Sequence, residues 1–185
     1  MNQIPNHVAI LVPSVKKASI YLRQFGFQIG EEEQFDGEGT REIYVESGLG
    51  NSLLLMEPLD HGPYRRAMEK RGPGLHHIAV DVLDLNSFID SLSGSGWLLH
   101  PMSIKTISHS KTAYLARPGF PGLIEVQERS ELSTKTFFVN KVTLKMDSSL
   151  IKLLKPIGLD KMIETSLSDE TILLGEKMIQ LKNLF

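Results

Sequence analysis

The sequence predicts an α+β fold of two consecutive βαβββ units, followed by a third segment with the same order of elements. Three observations lead there. "HVAILVPSVKKASIYLRQFGFQI" from His7 and "HIAVDVLDLNSFIDSLSGSGWLL" from His77 align without a gap, at an offset of about 70 residues. In both copies apolar residues pass from an extended run to helical spacing at the same place. The chain of 185 residues also has the apolar and charged content of an ordinary globular protein.

Each copy opens with a short buried strand. His7 falls on His77, Ala9 on Ala79 and Val12 on Val82. A helix follows, carried by Val15, Ala18, Leu22 and Phe25 in the first copy and by Leu85, Phe88 and Leu92 in the second. Gly26 and Gly96 close these helices. Three extended segments then come in each copy, "FQIGEEE", "TREIYVES" and "NSLLLMEP", and "WLLHPM", "KTAYLARP" and "GLIEVQE", punctuated by Gly, Asp and Asn. Past the polar connector "QERSELSTKTFF", "KVTLKM" reads as a strand and "SSLIKLLKPIGL" as a short helix. "KMIETSL", "ETILLGE" and "KMIQLKN" read as three more strands.

Composition narrows the function. The net charge of −2 and scattered Lys and Arg give no basic face, so neither nucleic acid nor a membrane surface is an expected partner. Cysteine is absent, which excludes disulfides, thiolate metal sites and cysteine nucleophiles. No run approaches the roughly 20 apolar residues that span a bilayer, and the expected location is cytoplasmic. The glycines of "SLSGSGW" precede a strand, whereas a phosphate-binding loop must follow one, and no serine sits in a nucleophile elbow.

The histidines carry the chemistry. In "GPGLHHIAVDV" strand alternation sends His76 and His77 to opposite faces, and only His77 has a histidine counterpart, His7, in the other copy. A pseudo-two-fold axis would bring His7 and His77 together. His61, His100 and His109 lie in turn-like stretches and are read as solvated.

From His7 to about Arg129 the chain resembles the vicinal oxygen chelate superfamily of glyoxalases, bleomycin-resistance proteins and dioxygenases, and within it the methylmalonyl-CoA epimerases. The carrying stretches are "LLMEPLDHGPYRRAMEKRGPGLHHIAVDVLDL" and "GLIEVQE". The resemblance implies a domain over 1–130, with modules 1–72 and 73–130, in which a curved mixed sheet surrounds a divalent metal. It also implies His7, His77 and Glu125 as ligands and puts Leu54 where a fourth, Glu or Gln, would stand. Glu57, three residues on, falls on the opposite face. Two imidazoles and a carboxylate suit Co, Mn, Zn, Ni or Fe(II).

An epimerase needs two bases flanking the substrate carbon, and the resemblance assigns these to Glu42, in "TREIYV", and Glu125. The implied activity is metal-dependent isomerisation of a small molecule such as an acyl-CoA. A glyoxalase-like or Fe(II)-dependent dioxygenase-type enzyme, or a non-catalytic binding protein, is the alternative on the same scaffold. Arg65, Arg66, Lys70 and Arg71 are read as a solvated helix face rather than a coenzyme A site.

Residues 131–185 exceed what the paired modules need. They are read as a third, βαβββ-like half-module with Lys141 in place of a ligand histidine. Its unpaired apolar face leads to the expectation of a homodimer.

Overall fold

A computed structural model describes residues 3–46, 50–132 and 137–185. Part of the connector, 133–136, and the end of "TREIYVES" lie outside these residues. The first module contains β1 (Gln3–Leu11), α1 (Val15–Arg23), β2 (Ile29–Phe35), β3 (Thr40–Val45) and β4 (Ser52–Pro58). Helix α2 (Pro63–Arg71) leads to the second, with β5 (Gly74–Val82), α3 (Leu85–Ser91), β6 (Leu98–Leu99), α4 (Ser103–Ser110), β7 (Thr112–Ala116) and β8 (Leu123–Glu128).

These strands form one curved mixed sheet in the order β2-β3-β4-β1-β5-β8-β7-β6. Each module pairs its first strand in parallel with its last, and the two first strands join antiparallel at the centre. The order is therefore the same read from either edge. That symmetry sets His7 and His77 side by side.

Local chemistry repeats with the topology. The Ser14 hydroxyl accepts from Lys17 N at 3.4 Å to cap α1, and the Asp84 carboxylate accepts from Ser87 N at 2.8 Å to cap α3. Each cap contributes on the order of 1 kcal/mol. Glu57 and Glu128 add a second shared device, their Oε2 atoms accepting from the first helical N–H groups, Val15 N at 2.8 Å and Leu85 N at 3.1 Å. Beyond the helices Gly26 (φ 83°) and Gly96 (φ 81°) take the left-handed turn into the next strand.

Helices α1 and α3 pack on one face of the sheet, around Val15, Leu22, Leu85 and Phe88, all nearly inaccessible to solvent. The other face carries the candidate site.

The sequence did not disclose α4. "SIKTISHS" has no side-chain cap at its start, where Met102 stands, and only Ser103 is buried. It closes on Lys111 with a left-handed φ of 51°. His109 is thus an exposed helical residue rather than one in a loop. The extended segment expected at "WLLHPM" contracts to the two residues of β6.

The C-terminal segment has the expected order: β9 (Val139–Lys145), a helical stretch over 148–157 that includes α5 (Ile151–Leu154), β10 (Ile163–Ser166), β11 (Thr171–Leu174) and β12 (Lys177–Gln180). Its sheet is wired differently from the modules. The order is β10-β9-β11-β12, so the first strand pairs in parallel with the second instead of the last.

Its apolar residues, including Val142, Leu144, Ile163 and Ile172, continue the core formed around α1 and α3. Trp97 Nε1 donates to Leu153 O at 2.9 Å, and buried Asn51 accepts from Phe138 N and Val139 N at 2.7 and 2.8 Å and donates to Val139 O at 2.9 Å. The face that prompted the expectation of a dimer is covered within the chain. That surface therefore supplies no argument for a second copy. No helix among the described residues is long and apolar enough to cross a membrane.

Candidate metal centre

Alternation along the central strands sends His7 and Ala9 of β1, and His77, Ala79 and Asp81 of β5, to the face away from α1 and α3. Across the centre His7 Nε2 lies 2.9 Å from His77 Nε2. Glu125, on β8 beside Ala79, brings Oε2 to 3.1 Å from His77 Nε2. Ligand atoms of the three residues all lie within 4.8 Å of one another, and all three side chains are buried.

The hydrogen-bond pattern fits a cation. Asn6 Nδ2 donates to Asp81 Oδ2 at 2.8 Å, which orients its Oδ1 toward His7 Nδ1, also at 2.8 Å. An amide oxygen only accepts, so the His7 proton sits on Nδ1 and Nε2 presents a lone pair. Burial first, and the charge of Arg129 second, hold the His7 pKa at about 4. His77 is lowered well below the usual range, chiefly by burial. Both rings are neutral near pH 7 and face the oxygen of the Glu125 carboxyl, a donor set that suits a divalent ion.

Glu125 is raised by burial, against the opposing hydrogen bonds of Gln127 and Tyr114. A relay supports it: Asp81 Oδ1 accepts from Arg129 Nε at 3.1 Å, Arg129 Nη2 donates to Gln127 Oε1, and Gln127 Nε2 donates to Glu125 Oε1 at 2.5 Å. With Asn6 the relay runs from one candidate ligand, His7, to another, Glu125. Such supports orient metal ligands. The sequence reading did not identify it, although Asp81, Gln127 and Arg129 all stand on or just beyond ligand strands at site-facing spacing.

Leu54 stands on β4 beside Ala9, the register in which Glu125 stands beside Ala79. It packs with Ala9, Leu11 and Met56 beneath Tyr64, Ala67 and Met68, and the side chain is almost wholly buried. Glu57 points to the other face, bound to Val15 N and Arg41, and supplies no donor to the site.

Glu42 shares the site face on β3, across from Met56. Its Oε1 accepts from Thr40 Oγ1 at 2.9 Å. Burial raises its pKa, the Thr40 bond opposes, and the charges of Glu38 and Glu125 add to the rise. The neighbouring Glu31, Glu32 and Glu33 are exposed, as an acidic edge strand would have them.

The histidine pair departs from strand alternation. The ladder between β1 and β5 steps from Ala9 opposite His77 to Ile10 opposite Leu75, leaving His76 in a bulge. His76 consequently reaches the same side as His77, with Nδ1 2.8 Å from His77 Nδ1 and its ring 4.9 Å from that of Tyr64. It lines a cavity of about 260 Å³ walled by Tyr64, Ala67, Met102, Tyr114 and Leu123. Arg71 also borders that cavity, whereas Arg65 pairs with Glu69 along the helix surface. His100 lines it too, while His61 is exposed.

A mixed sheet of two antiparallel-joined βαβββ modules, with candidate metal-binding side chains at the shared centre, defines a class of protein. The chain belongs to the glyoxalase/bleomycin resistance protein/dioxygenase superfamily, whose model matches residues 6–114. It is similar to mitochondrial methylmalonyl-CoA epimerase of Homo sapiens, 28% identical over 129 residues, which covers 66% of this chain and 72% of that one. Among solved structures, methylmalonyl-CoA epimerase from Mycobacterium tuberculosis superposes with a TM-score of 0.52 at 27% identity, covering 69% of this chain and 88% of its own. A hypothetical protein from Bacillus halodurans C-125 superposes at 0.57 with 23% identity, covering 73% and 100%.

Proposed function

We propose that the protein is a metal-dependent isomerase of epimerase type, acting on the carbon next to an acyl thioester. The carrying observation is that Glu42 and Glu125, both raised by burial, share one face with the His7, His77 and Glu125 triad. His7, His77 and Glu125 would hold the divalent ion. When bound, it would act as a Lewis acid on a substrate carbonyl oxygen.

The chain's own carboxyls would move the proton. In its ionised form one takes the proton from one face of the carbon, and the other, as the acid, returns a proton to the opposite face. Burial brings their protonated forms closer to neutral pH, which suits groups that must serve in both states. Similarity to methylmalonyl-CoA epimerases supports a 2-substituted malonyl-CoA as substrate. The cysteine-free composition suits a cytoplasmic setting.

The test is deuterium exchange from solvent into a 2-substituted malonyl-CoA, without oxygen, by metal-loaded protein and its Glu42→Gln variant. Exchange that falls by about 100-fold or more in the variant supports the assignment. Exchange unaffected by the variant removes Glu42 from the mechanism.

Leu54 favours a second reading. Two imidazoles and one carboxylate with no fourth protein donor form the set that suits Fe(II) oxygen chemistry on a small organic substrate. Turnover that requires both Fe(II) and oxygen, with no anaerobic exchange, would select it. Metal-free protein that binds a small molecule without turnover would leave a binding protein of the same fold.

A further inference from the structure

We propose that His76 is a positioning residue for the metal centre, fixing the tautomer and ring orientation of His77 as Asn6 fixes those of His7. The proposal rests on the metal-site reading above and extends it to a residue outside the ligand set.

The geometry of the two halves carries it. In β1 the pairing with β5 steps from Pro5 opposite Val80 to His7 opposite Ala79, which leaves Asn6 in a bulge. In β5 the step from His77 to Leu75 leaves His76 in a bulge. Each bulged residue immediately precedes a ligand histidine and escapes the alternation that would carry it to the helical face. The contacts match as well: Asn6 Oδ1 and His76 Nδ1 each lie 2.8 Å from the Nδ1 of the following histidine. The two devices are structural equivalents although their side chains differ.

Their chemistry converges too. For His77 to present a bare Nε2 toward the centre, its proton must reside on Nδ1, and His76 must accept it through an unprotonated Nδ1. His76 then carries its proton on Nε2. The Tyr64 ring holds the His76 ring in place, at 4.9 Å between centroids and a 40° tilt. Without an acceptor at this position the His77 proton is free to occupy Nε2, where it would block the ion.

The experiment measures Co(II) affinity of the full chain by competition with a chromophoric chelator, together with the visible absorption of the bound Co(II). Variants are His76→Asn, which copies the acceptor of the first half, and His76→Phe, which keeps an aromatic ring against Tyr64 but accepts no proton. Circular dichroism and thermal unfolding confirm that each variant folds.

The expected result is affinity within about 3-fold of the parent and an unchanged spectrum for Asn, against a 10- to 100-fold loss and an altered spectrum for Phe. A folded Phe variant with parental affinity and spectrum overturns the proposal and leaves the metal site standing. Equal losses in both variants also overturn it, because an acceptor would then have rescued nothing. If the parent chain binds no Co(II), the metal-site reading fails and this inference falls with it.

Discussion

Leu54 and Glu125 occupy one position twice: each lies beside the residue two places after a candidate ligand histidine, Ala9 and Ala79, on a strand running parallel to it. The substitution is not confined to a single side chain. Glu125 is bonded by Gln127 and, through it, to Arg129 and Asp81, whereas Leu54 is packed with Leu11 and Met56 and covered by Tyr64 and Met68. The first half is dry where the second is polar.

Placing a donor at position 54 is therefore expected to separate stability from affinity. Leu54→Gln buries an amide without hydrogen-bond partners and should cost the metal-free protein about 1–3 kcal/mol, read as a lower urea midpoint. It should also tighten Co(II) binding, since the amide oxygen faces the centre. Unchanged affinity would show that this position does not reach the ion.

His77 Nε2 lies 2.9 Å from His7 Nε2 and 3.1 Å from Glu125 Oε2, so it meets both other members of the candidate set. His77→Ala should leave protein purified without chelator with less than about a tenth of the parental metal content by elemental analysis. Retention of stoichiometric metal would place the ion elsewhere.

Acid should unfold the metal-free protein early. His7 and His76 are held at about 4, while unfolded histidine titrates at 6.5, so between these values the unfolded chain binds more protons and stability falls as pH falls. The shift corresponds to at most roughly 3 kcal/mol per imidazole. Glu42 and Glu125, raised by burial, act in the opposite sense, withdrawing stability as pH rises above the unfolded carboxyl value of 4.5. Urea midpoints at about pH 7, 5.5 and 4.5 should decline in that order. A flat series would show the imidazoles to be hydrated.

The C-terminal segment should be stabilising. Asn51→Ala leaves the buried N–H groups of Phe138 and Val139 without their acceptor, an expected loss of about 2 kcal/mol or more in chemical unfolding. Deleting 140–185 exposes the apolar layer over α1 and α3, and light scattering should show association. A monodisperse truncated chain with parental stability would mean that the modules need no cover.

Much of this was legible because it is periodic. The repeat aligns Gly26 with Gly96 and His7 with His77, and a repeated pattern predicts a repeated structure whatever the details. What escaped is what breaks period. Strand alternation placed His76 opposite His77, and a one-residue bulge reversed that. Helix α4 is short, polar and uncapped, so neither apolar spacing nor a start signal marks it. Element order in 139–180 was readable, but the pairing of β9 with β10 depends on packing against helices far away in sequence. The relay from Asn6 through Arg129 likewise joins residues distant along the chain, and no local pattern announces it.

The two bulges bear on inheritance. Each histidine draws its Nδ1 partner from the adjoining codon, so a duplication that copies the ligand copies a place for its support, and one point mutation can retune that support. The carboxylate has no such insurance. Its helpers come from the end of one strand and the length of another, and they can be lost one by one. The carboxylate is thus the more exposed half of the arrangement to change, and the two modules show the contrast in space: His77 has Glu125 on the neighbouring strand, while His7 has buried Leu54 at the equivalent place.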